Sequence, residues 1–70
     1  MLTDLRPVRD VSVLRRGDPL DVHRFGFPTC SGTVLATMPR LNVVWIREAG
    51  TGERRMLCAD DCQLRRSRHS

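Results

Sequence analysis

The residues able to do chemistry in this chain are few: Cys30, Cys58 and Cys62, His23 and His69, and the adjacent pair Asp60-Asp61. Cys58 and Cys62 are separated by three residues, a spacing open to zinc, and His23, Cys30 or His69 would have to complete the shell. Tetrahedral zinc sites ordinarily join two such close pairs. The second pair is missing, and His69 stands in a basic tail beside Arg68. Thiolate catalysis needs a base beside a cysteine, and no spacing couples His23 to Cys30 or Cys58. His23 reads instead as an exposed strand residue. Adjacent carboxylates point apart, so Asp60 and Asp61 suit the capping of a turn. The pattern predicts no catalytic residue, no metal and no cofactor. All three cysteines are expected to be free thiols, Cys58 and Cys62 filling the core as small apolar groups, and their odd number fits a reducing cytoplasm.

Arginine is the other chemistry-bearing type. All twelve cations of the chain are Arg and none is Lys, for a net charge of +4. Guanidinium groups grip phosphate and carboxylate with two parallel hydrogen bonds and stack on bases. An Arg-only set also follows from codon bias in a GC-rich genome. The positive balance stands under either origin and favours polyanions or acidic surfaces. Pairs gather at Arg15-Arg16, Arg54-Arg55 and Arg65-Arg66, with Arg68 close behind. Base stacking needs exposed aromatics, and Phe25, Phe27 and Trp45 are the only ones in the chain. The plainer reading is solvated charge, with the loop aromatics folded over one end of the core.

Positioning these residues falls to one small domain. A chain of 70 residues buries about 60% of its unfolded surface. No apolar run approaches the ~20 residues that cross a bilayer, and residues 1–7 lack the basic start and apolar centre of a secretory signal. A cytoplasmic protein that does not engage a membrane is expected. Alternation and turn residues predict strands at 20–24, 32–38, 42–48, 53–58 and 63–66. Pro7 bars a continuous helix through residues 1–16, which read as an irregular arm with Val11 to Leu14 lying against the core. Phe25 to Ser31 reads as a long first loop, and Met38 to Asn42 as a hairpin turn. Ala49-Gly50-Thr51-Gly52 is the clearest hairpin signal, and Cys58 to Cys62 suits one tight helical turn.

Inward parity falls on Leu20, Val22, Val34, Ala36, Met38 and Leu64. In Val43-Val44-Trp45-Ile46 both parities are apolar, so either Val43 and Trp45 or Val44 and Ile46 form the core set. The other pair faces out, as a contact surface or under the N-terminal arm.

The stretch Gly17-Asp18-Pro19-Leu20-Asp21-Val22, followed by Phe27 and then Gly32-Thr33-Val34, resembles the KOW motif of small SH3-like barrels. Such barrels occur in ribosomal large-subunit proteins and in transcription elongation factors of the NusG kind. Phe25-Gly26-Phe27 stands where that family carries a Gly-Pro-Phe-like turn, and its second loop glycine is missing here. The resemblance implies an all-β fold, a single SH3-like barrel of five short antiparallel strands at residues 17–66, after an irregular arm and before a basic tail at 67–70. It also implies that the first loop contacts RNA or a protein partner. The Gly-Asp opening is similar to that of plasmid-encoded type II dihydrofolate reductases too. Their Val-Gln-Ile-Tyr strand is absent, and Arg55-Met56-Leu57-Cys58 stands in its place.

The leading expectation is therefore a non-enzymatic binding module for nucleic acid or a nucleoprotein complex. Arg15, Arg16, Arg54, Arg55, Arg65, Arg66 and Arg68 would supply phosphate contacts, and Phe25 and Phe27 a loop platform. In a barrel the chain ends approach each other, which would merge the first and last arginine clusters. The alternative is a protein-interaction adaptor or homodimer using an outward patch around Val44 and Ile46 or, on the other parity, Trp45. A reductase-like enzyme comes third.

Overall fold

The computed structural model describes residues 8–67. They form one five-stranded antiparallel sheet in the order β4-β3-β2-β1-β5. The strands are β1 (Pro19–Arg24), β2 (Phe27–Met38), β3 (Val43–Glu48), β4 (Arg54–Cys58) and β5 (Gln63–Arg66). The helical pieces among the described residues are two 3-10 turns, Val11–Val13 and Pro39–Leu41. The all-β expectation holds. The sheet curls around one core but its two edge strands, β4 and β5, do not pair, so it is barrel-like without being closed.

The twelve-residue β2 organises the sheet. Its first half, Phe27 to Thr33, pairs with β1, and its second half, Gly32 to Met38, pairs with β3. The halves overlap at Gly32 and Thr33, of which Gly32 is buried. A Cβ there would meet the Arg47 carbonyl carbon at 2.9 Å and its oxygen closer still. Gly32 therefore serves close backbone approach, not the positive-φ geometry that its place in the motif suggests. Gly17 does adopt that geometry, at φ 95. Asp18 closes the same turn by accepting from the Arg15 amide at 2.9 Å. The turn is tied to β2 by the Gly17 amide on the Val34 carbonyl (2.8 Å) and the Val34 amide on the Asp18 carbonyl (2.9 Å).

All five strands contribute to the core: Leu20, Val22, Val34, Val44, Ile46, Leu57 and Leu64 pack with Cys62 and with Val11 and Leu14 from the arm. Full burial of side chains such as Leu20, Ile46 and Leu64 contributes roughly 1.5–3 kcal/mol each. Val44 and Ile46 are thus the inward parity of β3, and Val43 is also buried at its end. Inward Ala36 and Met38 are corrected: both are exposed. The register shifts between Val34 and Ala36, so Leu35 is an extra residue. A one-residue bulge exchanges the faces of everything beyond it.

The first loop is also corrected. Phe27 to Ser31 are strand, and only Phe25-Gly26 turn the chain. Both have positive φ, 52 and 81, as a two-residue hairpin turn of the right twist requires. Of residues 11–14, Val11 and Leu14 do pack into the core. The arm is latched by Asn42, whose side-chain oxygen accepts from the Val11 amide at 3.0 Å. Its amide nitrogen donates to the Arg9 carbonyl at 2.9 Å and to Asp60 at 3.3 Å. Asn42 itself sits at φ 53, ending the Pro39–Leu41 turn.

Candidate nucleic-acid interface

On the face away from the core, β2, β3 and β4 present two adjacent cross-strand rows. One is Thr33, Arg47 and Arg54; the other is Ala36, Trp45 and Met56. The first row continues through Pro19 on β1, which pairs with Thr33 and accepts at its carbonyl from the Ser67 amide. From β1 to β4 this ladder spans three strand spacings, roughly 14 Å on a flat sheet. Its far end opens on a cleft of about 460 Å³ lined by Val13, Arg15, Asp18, Pro19, Arg66 and Ser67. Arg15 and Arg66 thus line one cleft at that end, Arg66 reaching it from the core-side parity that it shares with Leu20, and Arg47 and Arg54 stand on the outward face at the other end.

The environments of the arginines differ. Arg55 is committed: its Nε donates to Glu48 at 2.9 Å, and Glu53 lies 3.9 Å from its guanidinium. The Glu48 bond holds the Arg55 guanidinium above its ordinary value, and bonds from Thr51 and Arg55 hold the Glu48 carboxyl below its own. Arg66 donates to the Val13 carbonyl at 2.6 Å, which aims it over the cleft rim. Arg47 donates to the Gly52 carbonyl at 3.0 Å, while Arg54 lies over the Trp45 ring, 5.8 Å from its centre. Arg47 and Arg54 are direct cross-strand partners. No carboxylate among the described residues pairs with either of them. Like charges placed opposite each other on a sheet are destabilising, a cost set here against the Arg47 bond to Gly52 and the Arg54 contact with Trp45.

The expected interface is therefore brought together only in part. Arg15 and Arg66 converge, and Arg16 is exposed beside Arg15. Arg65 is half-buried opposite Asp21, and its Nε finds no hydrogen-bond partner among the described residues. Arg68 and His69 lie outside the described residues. Phe25 and Phe27 are 94% and 73% exposed, at the end of β1 remote from Arg15 and Arg66. They do not share a surface with the arginine cleft. Val44 and Ile46, placed in an outward contact patch, are fully buried and offer no surface; of that patch Trp45 alone reaches outward, and it is half-buried. Arg47 was missed, because a lone Arg within a strand gives no signal until the register sets it beside Arg54.

The reactive residues have a different setting. Cys30 and Cys58 are half-buried and Cys62 is buried, all as free thiols. Burial pushes the Cys30 and Cys62 thiols up, which suppresses the nucleophilic thiolate. Cys62 donates to the Cys58 carbonyl at 3.3 Å. Among the described residues no three His, Cys, Asp or Glu side chains converge as metal ligands. Asp60 accepts from Asn42, and the Asp61 amide closes its turn on the Cys58 carbonyl at 3.0 Å. No helix of the described residues is long and apolar enough to cross a membrane. Neither a known protein family, a curated protein nor a solved structure matches the chain.

Proposed function

We propose that this domain is a non-enzymatic binding module for nucleic acid, holding the phosphate backbone along the ladder from Arg15 and Arg66 to Arg47 and Arg54. The observation that carries the reading is the cross-strand Arg47–Arg54 pair, unrelieved by any described carboxylate. Phosphates bound between and beside the two guanidiniums convert a repulsive pair into a favourable one. The KOW-like spacing around Gly17, Asp18 and Gly32 supports the same reading. In this proposal Arg55 is structural, and the enzyme alternative has no support in the thiols or carboxylates.

The test is titration of the full chain with RNA and DNA, single- and double-stranded, at two salt concentrations. Binding is expected to weaken with salt. Replacing Arg15, Arg47, Arg54 and Arg66 by Ala is expected to weaken it evenly across sequences and to flatten the salt slope, by about 0.7–0.9 for each phosphate no longer neutralised. A wild-type domain that shows no salt-dependent shift with any polyanion would overturn the reading. One observation favours a second: Met38 and Met56 are 42% and 59% exposed on the face that holds Trp45. That supports a protein-interaction adaptor, which would self-associate or capture its partner without sensitivity to salt.

A further inference from the structure

We infer that Trp45 is a stacking platform for an unpaired base, so that the preferred ligand is a single strand; this rests on the arginine-ladder reading above. The two outward rows lie side by side, and Trp45 and Arg47 are two residues apart on the same face of β3. That separation is roughly 7 Å at the usual rise per residue. It places a guanidinium for phosphate and an aromatic ring for a base within the span of one nucleotide.

The neighbours of the ring fit that use. Ala36, directly opposite on β2, is exposed and too small to cover the indole, and Met56 flanks it on β4. Arg54 lies over the ring and can close on an inserted base from above, adding a cation–π contact. Single strands are held by this combination of a basic track and aromatic faces, whereas a duplex keeps its base faces stacked within. The major groove of DNA admits an α-helix or a two-stranded ribbon. The helical pieces of the described residues are three residues long, and the basic row here lies on a sheet face several strands wide.

The chain contains one Trp and no Tyr, so tryptophan emission reports on position 45 alone. Oligothymidylate and oligouridylate are expected to quench it, with little effect from a duplex of equal length or from inorganic polyphosphate. Trp45→Leu keeps apolar bulk but removes the π face. It is expected to weaken single-strand binding about five- to a hundredfold, read by anisotropy of a labelled oligonucleotide, and to weaken duplex or polyphosphate binding far less. An amide NMR spectrum like that of the wild type identifies the variant as folded, and Trp45→Phe is expected to recover most of the loss. Salt-sensitive binding that leaves the emission unchanged and survives Trp45→Leu would overturn the stacking inference while leaving the arginine ladder standing. Tighter binding of duplex, or equal quenching by polyphosphate, would do the same. Absence of any polyanion binding would overturn both.

Discussion

The two hairpin tips of the sheet are built in opposite ways. Between β3 and β4 the chain turns through Ala49 to Glu53, fastened by several backbone and side-chain bonds. The Gly52 amide donates to the Glu48 carbonyl at 2.8 Å, the Thr51 hydroxyl donates to the Glu48 carboxylate at 2.8 Å, and the Glu53 amide donates back to Thr51 at 3.1 Å. Arg47 and Arg55 add side-chain bonds from the flanking strands. Between β1 and β2 the turn is two residues, one of them a Phe at φ 52 with its ring almost wholly in water. A bulky side chain in the left-handed region is unfavourable, and an exposed aromatic recovers little of that cost. The first tip is what stability alone would select. The second departs from it.

The strand that joins the two hairpins gives the largest test of their coupling. Gly32→Ala drives a Cβ into the Arg47 backbone. It is expected to lower stability on the order of 3 kcal/mol, a fall in melting temperature of more than about 12 °C. A shift of a few degrees would mean that the two hairpins are not held together at this crossing.

A smaller effect of opposite sign is expected at the aromatic tip. Phe25→Asn gives the turn the Asn-Gly pair suited to two positive φ values. It is expected to raise stability by about 1 kcal/mol, or ~4–8 °C in melting temperature. The core is untouched by the change, because Phe25 is exposed. A lower melting temperature would show that the ring stabilises the fold and would remove the contrast between the tips.

The smallest effect is confined to the other tip and appears with pH. The Glu48 carboxyl lies below its ordinary value of 4.5 because the Thr51 hydroxyl and the Arg55 guanidinium bond to its charged form. Its folded-state value is depressed, so its stabilisation is complete above 4.5 and drains away as pH falls from there through the folded value. Carboxyl-carbon NMR is expected to give Glu48 a midpoint below 4.5, and Glu48→Gln to remove that part of the acid sensitivity. A midpoint at or above 4.5 would sink the fastening role.

The same two tips show where the sequence was legible. Gly50 and Gly52 between Val/Ile-rich and Met/Leu-rich runs announce a hairpin, and alternation placed all five strands close to their observed ends, except the start of β2. Phe25-Gly26-Phe27-Pro28 reads as loop because Pro and an aromatic turn residue go against strand pairing. The observed register shift between Val22 and His23 lets β2 accommodate that stretch. Leu35 carries no mark that distinguishes a bulge from one more alternating residue, so the facing of Ala36 and Met38 was not legible. The arginine pairs were visible, but the pair across β3 and β4 was not. Arg47 and Arg54 become neighbours only through register, which a single chain does not spell out.

A sheet that curls without closing keeps two free edges, and each is a template for uncontrolled strand addition. On the β5 side, Val8 pairs with Leu64, its amide donating to the Leu64 carbonyl at 2.6 Å, so the arm occupies part of that edge. On the β4 side, Arg54 and Arg55 open the strand with adjacent positive charges, before the apolar Met56 and Leu57. A strand arriving from another copy would have to dehydrate those guanidiniums or displace Glu48 from Arg55. The charges at the head of β4 thus oppose strand addition at that edge, and the Val8 bridge covers part of the other.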